Sequence, residues 1–194
     1  MLASSIKSLL RWLAVSRLRL KGVQITAPRL LARGIDCQLG VARGAKGEIA
    51  IADGARIERG VVLHAWGGSI RLGRDIFLGP HTVIYGHGGV LIGDACLIAM
   101  HCRILSSNHA VPPLGTDIRS QPDELRATRI GRDVWLGAGV TIVGGVTLGD
   151  GCIVGAGSVV THDLPAGAIA LGVPARITGT RAAAPPSPAS PSAA

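Results

Sequence analysis

The chain has 194 residues, enough for one domain plus tails, and 47% of them are hydrophobic although only 3% are aromatic. A core of small aliphatic side chains suits a narrow prism better than a globule packed around rings. The formal charge is +8, and the excess lies in the first 46 residues, which hold nine Lys or Arg and one acid. Such a basic block suits an anionic lipid surface, a polyphosphate or an acidic saccharide. Nucleic acid is disfavoured as a partner, because stacking aromatics and a reader motif are lacking.

The basic N-terminal segment is predicted to span residues 1–34 and to be partly helical. Its first 21 residues never give more than four consecutive apolar residues, which is too broken for a signal core or a membrane span. Five apolar residues share one helical face: Leu2, Ile6, Leu9, Leu10 and Leu13. The pattern allows two interpretations. The helix lies on a membrane surface through residues 1–21, or it packs on the domain or on a neighbouring subunit.

A six-residue repeat of aliphatic side chains predicts an all-β parallel β-helix over residues 35–165. Its strictest part is Ile130, Leu136, Ile142, Leu148, Val154 and Val160. Three earlier triplets are Ile51, Ile57 and Leu63; Leu72, Leu78 and Ile84; and Ile92, Ile98 and Ile104. Ile35 and Val41 indicate one more, imperfect coil. A step of six fits a chain that turns a corner at every sixth residue and stacks about five to six coils, for example Ile130 on Leu148.

The cysteines follow the same repeat. Cys96, Cys102 and Cys152 occupy the fifth position of a hexad, where a small side chain points into the prism. No CxxC motif occurs in the sequence. We therefore predict reduced packing residues and a cytoplasmic protein, with peripheral contact at the inner membrane face if residues 1–21 bind lipid.

A protruding loop, predicted over residues 105–129, interrupts the repeat once. Ile104 and Ile130 are 26 positions apart instead of six, so twenty extra residues leave the prism. The loop is polar and contains three prolines, which cannot continue a ladder. A long loop that interrupts a regular repeat usually carries functional residues. The alternative is an insertion that the fold tolerates and that has no function.

The repeat ends after Val160. The following segment, THDLPAGAIALGVPARI, has two prolines that direct the chain off the last coil, and we predict a turn and cap over residues 166–180. Residues 181–194, RAAAPPSPASPSAA, have no periodicity and are predicted to be disordered.

The C-terminal half carries motifs of a known family. VWLGAGV, GAGSVVTHDLP and GVPAR occur in this order, and the stretch from about Ile51 to Ile177 resembles the hexapeptide-repeat acyltransferases. The resemblance is to the sugar O-acetyltransferases, which include the maltose, galactoside and nodulation-factor enzymes and those of capsule and colanic acid synthesis. It implies a left-handed β-helix that assembles as a homotrimer. It also implies that acetyl-coenzyme A lies between adjacent prisms and that the loop of one subunit helps to close the active site.

The resemblance implies that His109, at the start of the loop, is the catalytic base. Transfer of an acetyl group from a thioester to a hydroxyl requires the hydroxyl to lose its proton as it attacks, and a positioned His is the usual base. A thioester is already activated, so neither a metal nor a covalent enzyme intermediate is required. Asn108 contacts the substrate in one interpretation and shapes the turn in the other.

Three further residues are candidates for acceptor binding. His81 stands where the maltose and galactoside enzymes have an Asn near the acceptor, and Tyr85 and His87 lie in a longer corner nearby. His64 and His101 are predicted to be structural. The γ-class carbonic anhydrases share this prism and bind zinc through a close pair of His on one coil, but no H-x4-H occurs here, so we expect no metal.

The resemblance also implies a set of donor-binding residues. Trp135 would lie beside the pantetheine arm, while Ala138 and Ala156 would offer backbone N–H groups to its amides. At the nucleotide end would lie Thr161, His162 and Arg176. His162 stands where members of the family often have Lys, which puts one phosphate contact in doubt, whereas the guanidinium of Arg176 suits a 3′-phosphate.

We therefore predict an acetyl-coenzyme A-dependent O-acetyltransferase that acts on a saccharide or a lipid-linked sugar. N-acetylation of an amino sugar or nucleotide sugar would use the same base and remains open. The third possibility is a non-catalytic β-helix that serves as a binding module.

Overall fold

The structure is a computed structural model that describes residues 12–32, 34–42 and 44–182. Residues 12–20 form a helix, α1. The chain then forms successive triplets of short strands, and each triplet makes one coil. The first two coils and the hairpin between them consist of β1 (Gln24–Ile25), β2 (Leu30–Leu31), β3 (Asp36–Gln38), β4 (Val41–Ala42), β5 (Ala45–Lys46), β6 (Glu48–Ile51), β7 (Arg56–Ile57) and β8 (Val62–His64).

The next coils flank the protruding loop. Before it lie β9 (Ser69–Leu72), β10 (Phe77–Leu78), β11 (Val83–Tyr85), β12 (Val90–Ile92), β13 (Leu97–Ile98) and β14 (Arg103–Ile104). The loop itself contains β15 (Ser107–His109), a 3-10 helix (Ile118–Ser120) and β16 (Asp123–Leu125). After it come β17 (Thr128–Ile130), β18 (Trp135–Leu136), β19 (Thr141–Ile142), β20 (Thr147–Leu148), β21 (Ile153–Val154), β22 (Val159–Val160), β23 (Ala168–Gly172) and β24 (Ala175–Thr180).

Strands at equivalent positions of successive coils stack into three large sheets. In the described part of the chain, sheet A has the order β1-β6-β9-β12-β17-β20 and sheet C has β3-β8-β11-β14-β19-β22. Sheet B has β2-β7-β10-β13-β18-β21-β23-β24, and its last pair is antiparallel. Ile130 lies opposite Leu148, and equivalent pairs align the other predicted positions. The predicted all-β repeat of parallel strands is thereby confirmed.

The core is the inner column of each sheet. The aliphatic side chains of the predicted repeat from Ile51 to Val160 are at most 3% exposed. Because each strand is so short, one coil cannot cover its own inner face, and stacking makes the apolar column continuous. The four cysteines are free and buried in the same column, and burial raises the pKa of the Cys96 thiol to about 11.

The first coil begins earlier than the sequence pattern predicts. Its inward positions are Ile25, Leu31 and Cys37, which pair with the second coil, so the ladder starts at residue 24 and not at 35. The prediction for Val41 is wrong, because Val41 lies in the β4–β5 hairpin and is exposed. The hairpin shifts the phase of the repeat between the first two coils, and this shift hid the true first triplet.

Helix α1 packs on the end of the prism. Val15 and Leu18 are buried in the core, whereas Leu13 is exposed. The Arg19 guanidinium donates to the Ile25 carbonyl at 2.8 Å, which fixes the helix against β1. The other apolar residues predicted to share a face with Leu13 lie outside the described residues. Within the described ranges, no helix is long and apolar enough to cross a bilayer.

The C-terminal turn and cap is a β-hairpin. Strand β23 extends sheet B beside β21, and β24 folds back on β23. The side chain of Arg181 then reaches Asp133 with 2.8 Å between Nη1 and Oδ2. Residues 183–194, which form most of the predicted disordered tail, lie outside the described residues.

Candidate active site

The protruding loop is rooted in an antiparallel hairpin. Strands β15 and β16 pair so that His109 lies opposite Asp123 and Asn108 lies opposite Glu124. The prediction treated residues 105–129 as one irregular segment, and the pairing could not be read from it because a 13-residue connection leaves the register undetermined. The hairpin brings the two ends of the loop back to the same corner of the prism.

A close pair of a histidine and a carboxylate forms at this hairpin. His109 Nδ1 lies 2.8 Å from Asp123 Oδ1. A nearby carboxylate favours the tautomer with the proton on Nδ1, which leaves the Nε2 lone pair available. The His109 side chain is 73% exposed and that of Asp123 is 30% exposed, so the imidazole is accessible while its partner is partly covered. The arrangement has the geometry of a base held by an orienting carboxylate.

Asp123 also contacts a second imidazole. Its Oδ2 lies 3.4 Å from His87 Nδ1, so the carboxylate stands between the two His side chains. His87 comes from the corner after β11, one coil before the loop. The loop is thus connected to the body of the prism through a polar contact at the same place where the candidate base is held.

His87 belongs to a group of four rings, His64, Trp66, Tyr85 and His87, which we call the ring cluster. His64 and Tyr85 are stacked, with centroids 5.7 Å apart and planes at 10°. Trp66 stands edge-on to both, at 5.6 Å from His64 and 6.4 Å from Tyr85. Its centroid is 6.1 Å from that of His87. The cluster therefore runs continuously to Asp123 and His109.

The far side of the ring cluster is fixed by Asp36. His64 Nε2 lies 2.8 Å from Asp36 Oδ2, and this hydrogen bond is the main cause that lowers the pKa of Asp36 below its usual value, against the opposing effect of burial. Lys21 Nζ lies 3.9 Å from the other carboxylate oxygen. The Nδ1 of His64 is buried and has no hydrogen-bond partner among the described residues.

Two fully buried hydroxyls hold the loop root. Ser106 Oγ donates to the Tyr85 carbonyl at 2.7 Å and accepts from Gly88 N at 3.0 Å. Thr128 Oγ1 donates to the Leu105 carbonyl at 2.6 Å and accepts from Gly145 N at 3.2 Å. Gly88 must lack a side chain, because a Cβ there would overlap the backbone of Ser106 and Arg126. These contacts fix where the loop leaves the prism.

The sequence analysis missed Asp36, Trp66, Ser106, Asp123 and Thr128. A partial signal was present for the ring cluster. The corner segments HAWGGS and YGHGGV are 21 positions apart, which places Tyr85 beside His64 and His87 in the coil after Trp66. The contact of Asp123 with His109 depends on the hairpin register and has no equivalent signal.

His81 lies at a different corner from His109. It stands between β10 and β11 and stacks on His101, with centroids 5.3 Å apart and planes at 10°. Tyr85 lies after β11 in the ring cluster, as described. Asn108 is exposed on β15. Of the predicted acceptor residues, the structure therefore brings Tyr85 and His87 towards His109 and leaves His81 on the other side of sheet C.

The predicted pantetheine residues lie on sheet B and at the corner between sheets B and C. Trp135 is exposed on β18 between Leu97 and Ile153. Ala138 and Ala156 stack at the corner that follows, where Gly157 N donates to the Ala138 carbonyl at 2.8 Å. The same corner carries His101 one coil before Ala138 and His81 two coils before it.

The nucleotide-end residues are separate from that corner. Thr161 Oγ1 lies 2.8 Å from His162 Nδ1, and both follow β22 in sheet C. The Arg176 guanidinium is on β24, is exposed and donates to the neighbouring Ala175 carbonyl at 3.2 Å. Among the described residues, no group of three His, Cys, Asp or Glu is arranged to hold a metal ion.

Comparison with known proteins places this geometry in context. Residues 127–162 match the bacterial transferase hexapeptide repeat (six repeats). A probable acetyltransferase of Mycobacterium tuberculosis is 31% identical over 88% of this chain and 58% of its own length. The galactoside O-acetyltransferase of Escherichia coli K12 is 35% identical over 60% of this chain and 56% of its own length. The chain thus spans less than two thirds of these two relatives.

A similar fold occurs in a solved structure. The N-acyltransferase AntD of Bacillus cereus, as a point mutant with dTDP-4-amino-4,6-dideoxyglucose and coenzyme A, aligns with a TM-score of 0.70. It is 21% identical and covers 87% of this chain and 89% of its own, so the likeness concerns the fold. The repeat, the matched motifs and the curated relatives agree, and the chain is similar to the hexapeptide-repeat transferases, whose repeat its residues 127–162 match.

Proposed function

We propose that the chain is an acetyl-coenzyme A-dependent acetyltransferase that acetylates a hydroxyl of a saccharide or a lipid-linked sugar. The observation that carries this proposal is the 2.8 Å contact between His109 Nδ1 and Asp123 at the root of the protruding loop. The resemblance of the chain to acetyltransferases supports the donor, and the galactoside enzyme among its relatives supports a sugar acceptor.

In the proposed reaction, the Nε2 of His109 removes the proton of the acceptor hydroxyl as the oxygen attacks the thioester carbonyl. Asp123 stabilises the imidazolium that forms and keeps Nε2 directed outward. Collapse of the tetrahedral intermediate breaks the carbon–sulfur bond, and the imidazolium returns its proton to the departing coenzyme A sulfur. A base in this position contributes roughly 10²- to 10⁴-fold to the rate.

We assign the pantetheine arm of the donor to the corner between sheets B and C. Trp135 would flank the pantetheine arm, and the small side chains of Ala138 and Ala156 leave the backbone accessible. The three residues of the nucleotide end would be Thr161, His162 and Arg176. The Arg176 guanidinium suits this role, because its recorded hydrogen bond leaves most of its five N–H donors free for a phosphate.

A homotrimer would bring the two halves of the site together. The proposed donor corner and the His109 corner lie on opposite edges of sheet C within one chain. The outer column of sheet B is apolar and exposed, with Leu97 48% exposed beside Trp135, and such a patch suits an interface. We expect each prism to wind left-handed in about five to six coils, as in the family that the chain resembles.

Peripheral contact with an anionic membrane forms part of the same proposal. Helix α1 exposes Trp12 and Leu20 beside basic Arg17, which suits an interfacial surface. Co-sedimentation with phosphatidylglycerol vesicles tests it against zwitterionic vesicles. If the full chain and a variant that lacks residues 2–11 co-sediment equally with the anionic vesicles, residues 2–11 have no role in membrane binding.

The test is a screen of hydroxyl and amino sugars with acetyl-coenzyme A, which follows the free thiol in the wild type and in His109→Ala. We expect turnover with a hydroxyl acceptor, a loss of about 10²-fold or more in the variant, and unchanged coenzyme A binding by calorimetry. Transfer to amino sugars alone would make the chain an N-acetyltransferase. Absence of coenzyme A binding would leave a binding module and refute the enzymatic proposal.

A further inference from the structure

The ring cluster is an unusual concentration of aromatic groups for this chain. The whole sequence contains three Trp, one Tyr and one Phe, and two of these five rings lie in the cluster together with two imidazoles. Trp66 is 40% exposed and Tyr85 is 38% exposed, so both rings present surface to solvent. A core built from aliphatic side chains does not need these rings for packing.

The backbone at Trp66 gives a second, independent observation. Trp66 has φ of 50°, in the left-handed region that glycine adopts readily and bulky residues rarely adopt. The other non-glycine residues with positive φ are Asp75, His81, Ala95, His101 and Asp133. Trp66 has the largest side chain among them. A strained position that carries an exposed indole points to a binding role for the ring, because neither the turn nor the core requires it.

The position of the cluster indicates which molecule it meets. His87 lies beside Trp66 and contacts Asp123, which in turn contacts His109, so the ring cluster is connected to the proposed base through two side chains. The donor corner lies on the other edge of sheet C. We therefore assign this surface to the acceptor, while a neighbouring subunit of the proposed trimer supplies the pantetheine corner.

The polar groups around the cluster indicate the chemistry of the acceptor. Two carboxylates, Asp36 and Asp123, flank it. The adjacent cations are engaged, since Lys21 pairs with Asp36 and Arg126 holds Glu124 at 2.7 Å. This surface suits an uncharged ring with an apolar face and hydroxyl groups at its edge better than a diphosphate.

We propose that Trp66 and Tyr85 form a stacking platform that binds the pyranose ring of the acceptor and presents one of its hydroxyls to His109. The proposal rests on the proposed acetyltransfer and names its acceptor as a neutral pyranoside. The apolar C–H face of the sugar lies on Trp66, Tyr85 closes one side because its plane stands at 74° to that of Trp66, and the imidazole of His87 contacts the hydroxyl edge of the sugar.

The first test compares Trp66→Gly with Trp12→Phe in steady-state kinetics on methyl and p-nitrophenyl pyranosides. Glycine removes the ring and relieves the strained φ, so this variant is expected to fold. Trp66→Gly should raise the KM of the pyranoside by about three- to tenfold, the worth of one aromatic contact. The KM of acetyl-coenzyme A should stay within about twofold in both variants. An unchanged pyranoside KM in Trp66→Gly would overturn the platform while the acetyltransferase proposal stands.

The second test needs no turnover, so it separates the platform from the enzymatic proposal. Titration of methyl pyranosides should change the tryptophan fluorescence of the wild type and of Trp12→Phe, and the change should disappear in Trp66→Phe/Tyr85→Leu. The same titration with dTDP is the comparison arm. A response that persists without Trp66, or a response to dTDP with none to pyranosides, would refute the proposal.

Discussion

At the scale of single residues, the candidate site depends on the carboxylate of Asp123. It contacts the Nδ1 atoms of His109 at 2.8 Å and of His87 at 3.4 Å. The first contact selects the tautomer of His109 in which Nε2 can accept a proton. The second anchors the carboxylate to the prism. Asp123 is thus a positioning residue, since in the proposed reaction it acts through His109 and not on the substrate.

Replacement of Asp123 by Asn tests this role. The amide can donate to Nδ1 and so favours the tautomer with the proton on Nε2, which cannot act as a base. We expect kcat to fall by at least about tenfold, with the KM of acetyl-coenzyme A unchanged. Glu124→Gln is the matched control, because Glu124 is the next residue and pairs with Arg126. Equal effects of the two substitutions on kcat would contradict the positioning role.

The pair of Asp36 and His64 predicts a pH dependence of stability. The hydrogen bond from His64 lowers the pKa of Asp36 below the usual 3.8, so its stabilising contribution is present above that value and is lost as pH falls through the lower folded value. The Asp36 side chain is 42% exposed, so screening limits the contribution to less than about 1 kcal/mol. The difference in free energy of unfolding between wild type and Asp36→Asn should be larger at pH 6 than at pH 2. A constant difference would exclude the linkage.

At the scale of elements, hydrogen bonds at the root of the loop fix its position more than contacts along the loop do. The hairpin of β15 and β16 is short, and the segment between them is mostly exposed. The buried hydroxyls of Ser106 and Thr128 connect this hairpin to the coils before and after it. The position of His109 therefore depends on hydrogen bonds made inside the prism.

Thr128→Val is the corresponding prediction. Valine keeps the shape of the side chain but leaves the Gly145 N–H without its acceptor, which should lower the free energy of unfolding by about 1–3 kcal/mol. We expect kcat to fall as well, because the loop root loosens. Thr141→Val is the control, since that hydroxyl only accepts an exposed 3.3 Å bond from Arg103. Denaturant unfolding that gives the same midpoint for both variants would refute the role of the root.

At the scale of the whole molecule, the three outer faces of the prism differ. Sheet B presents a column of apolar side chains that includes Phe77, Leu97 and Trp135, whereas sheet A alternates them with Arg71 and Arg129. An apolar exposed column suits contact with another copy of the chain. The same sheet borders the corner to which we assign the donor.

The assembly can be tested with two leucines of the same coil. Leu97 on sheet B is 48% exposed and Leu91 on sheet A is 42% exposed. Leu97→Lys should dissociate the proposed trimer in sedimentation experiments, because a charge would be buried at the interface. Leu91→Lys should leave it intact. A trimer that survives Leu97→Lys would exclude sheet B as the interface, and a monomeric wild type would exclude the assembly.

The sequence by itself determined the repeat, the inward positions from Ile51 to Val160, the place of the loop and the resemblance to the hexapeptide-repeat transferases. This was possible because the same pattern, an inward aliphatic side chain at every sixth residue, recurs in every coil, so that one stretch predicts the next. The phase was lost only where the β4–β5 hairpin inserts, which misplaced Val41 and hid Ile25, Leu31 and Cys37.

Only the tertiary structure decided which residues meet. The contact of His109 with Asp123 follows from the register of a hairpin whose connection is long. The ring cluster follows from the stacking of corners 21 residues apart. The stacking of coils also places His81 against His101 and not beside His109. A repeat period fixes the faces of the prism, whereas contacts at its corners depend on backbone turns and loop pairing that the period does not specify.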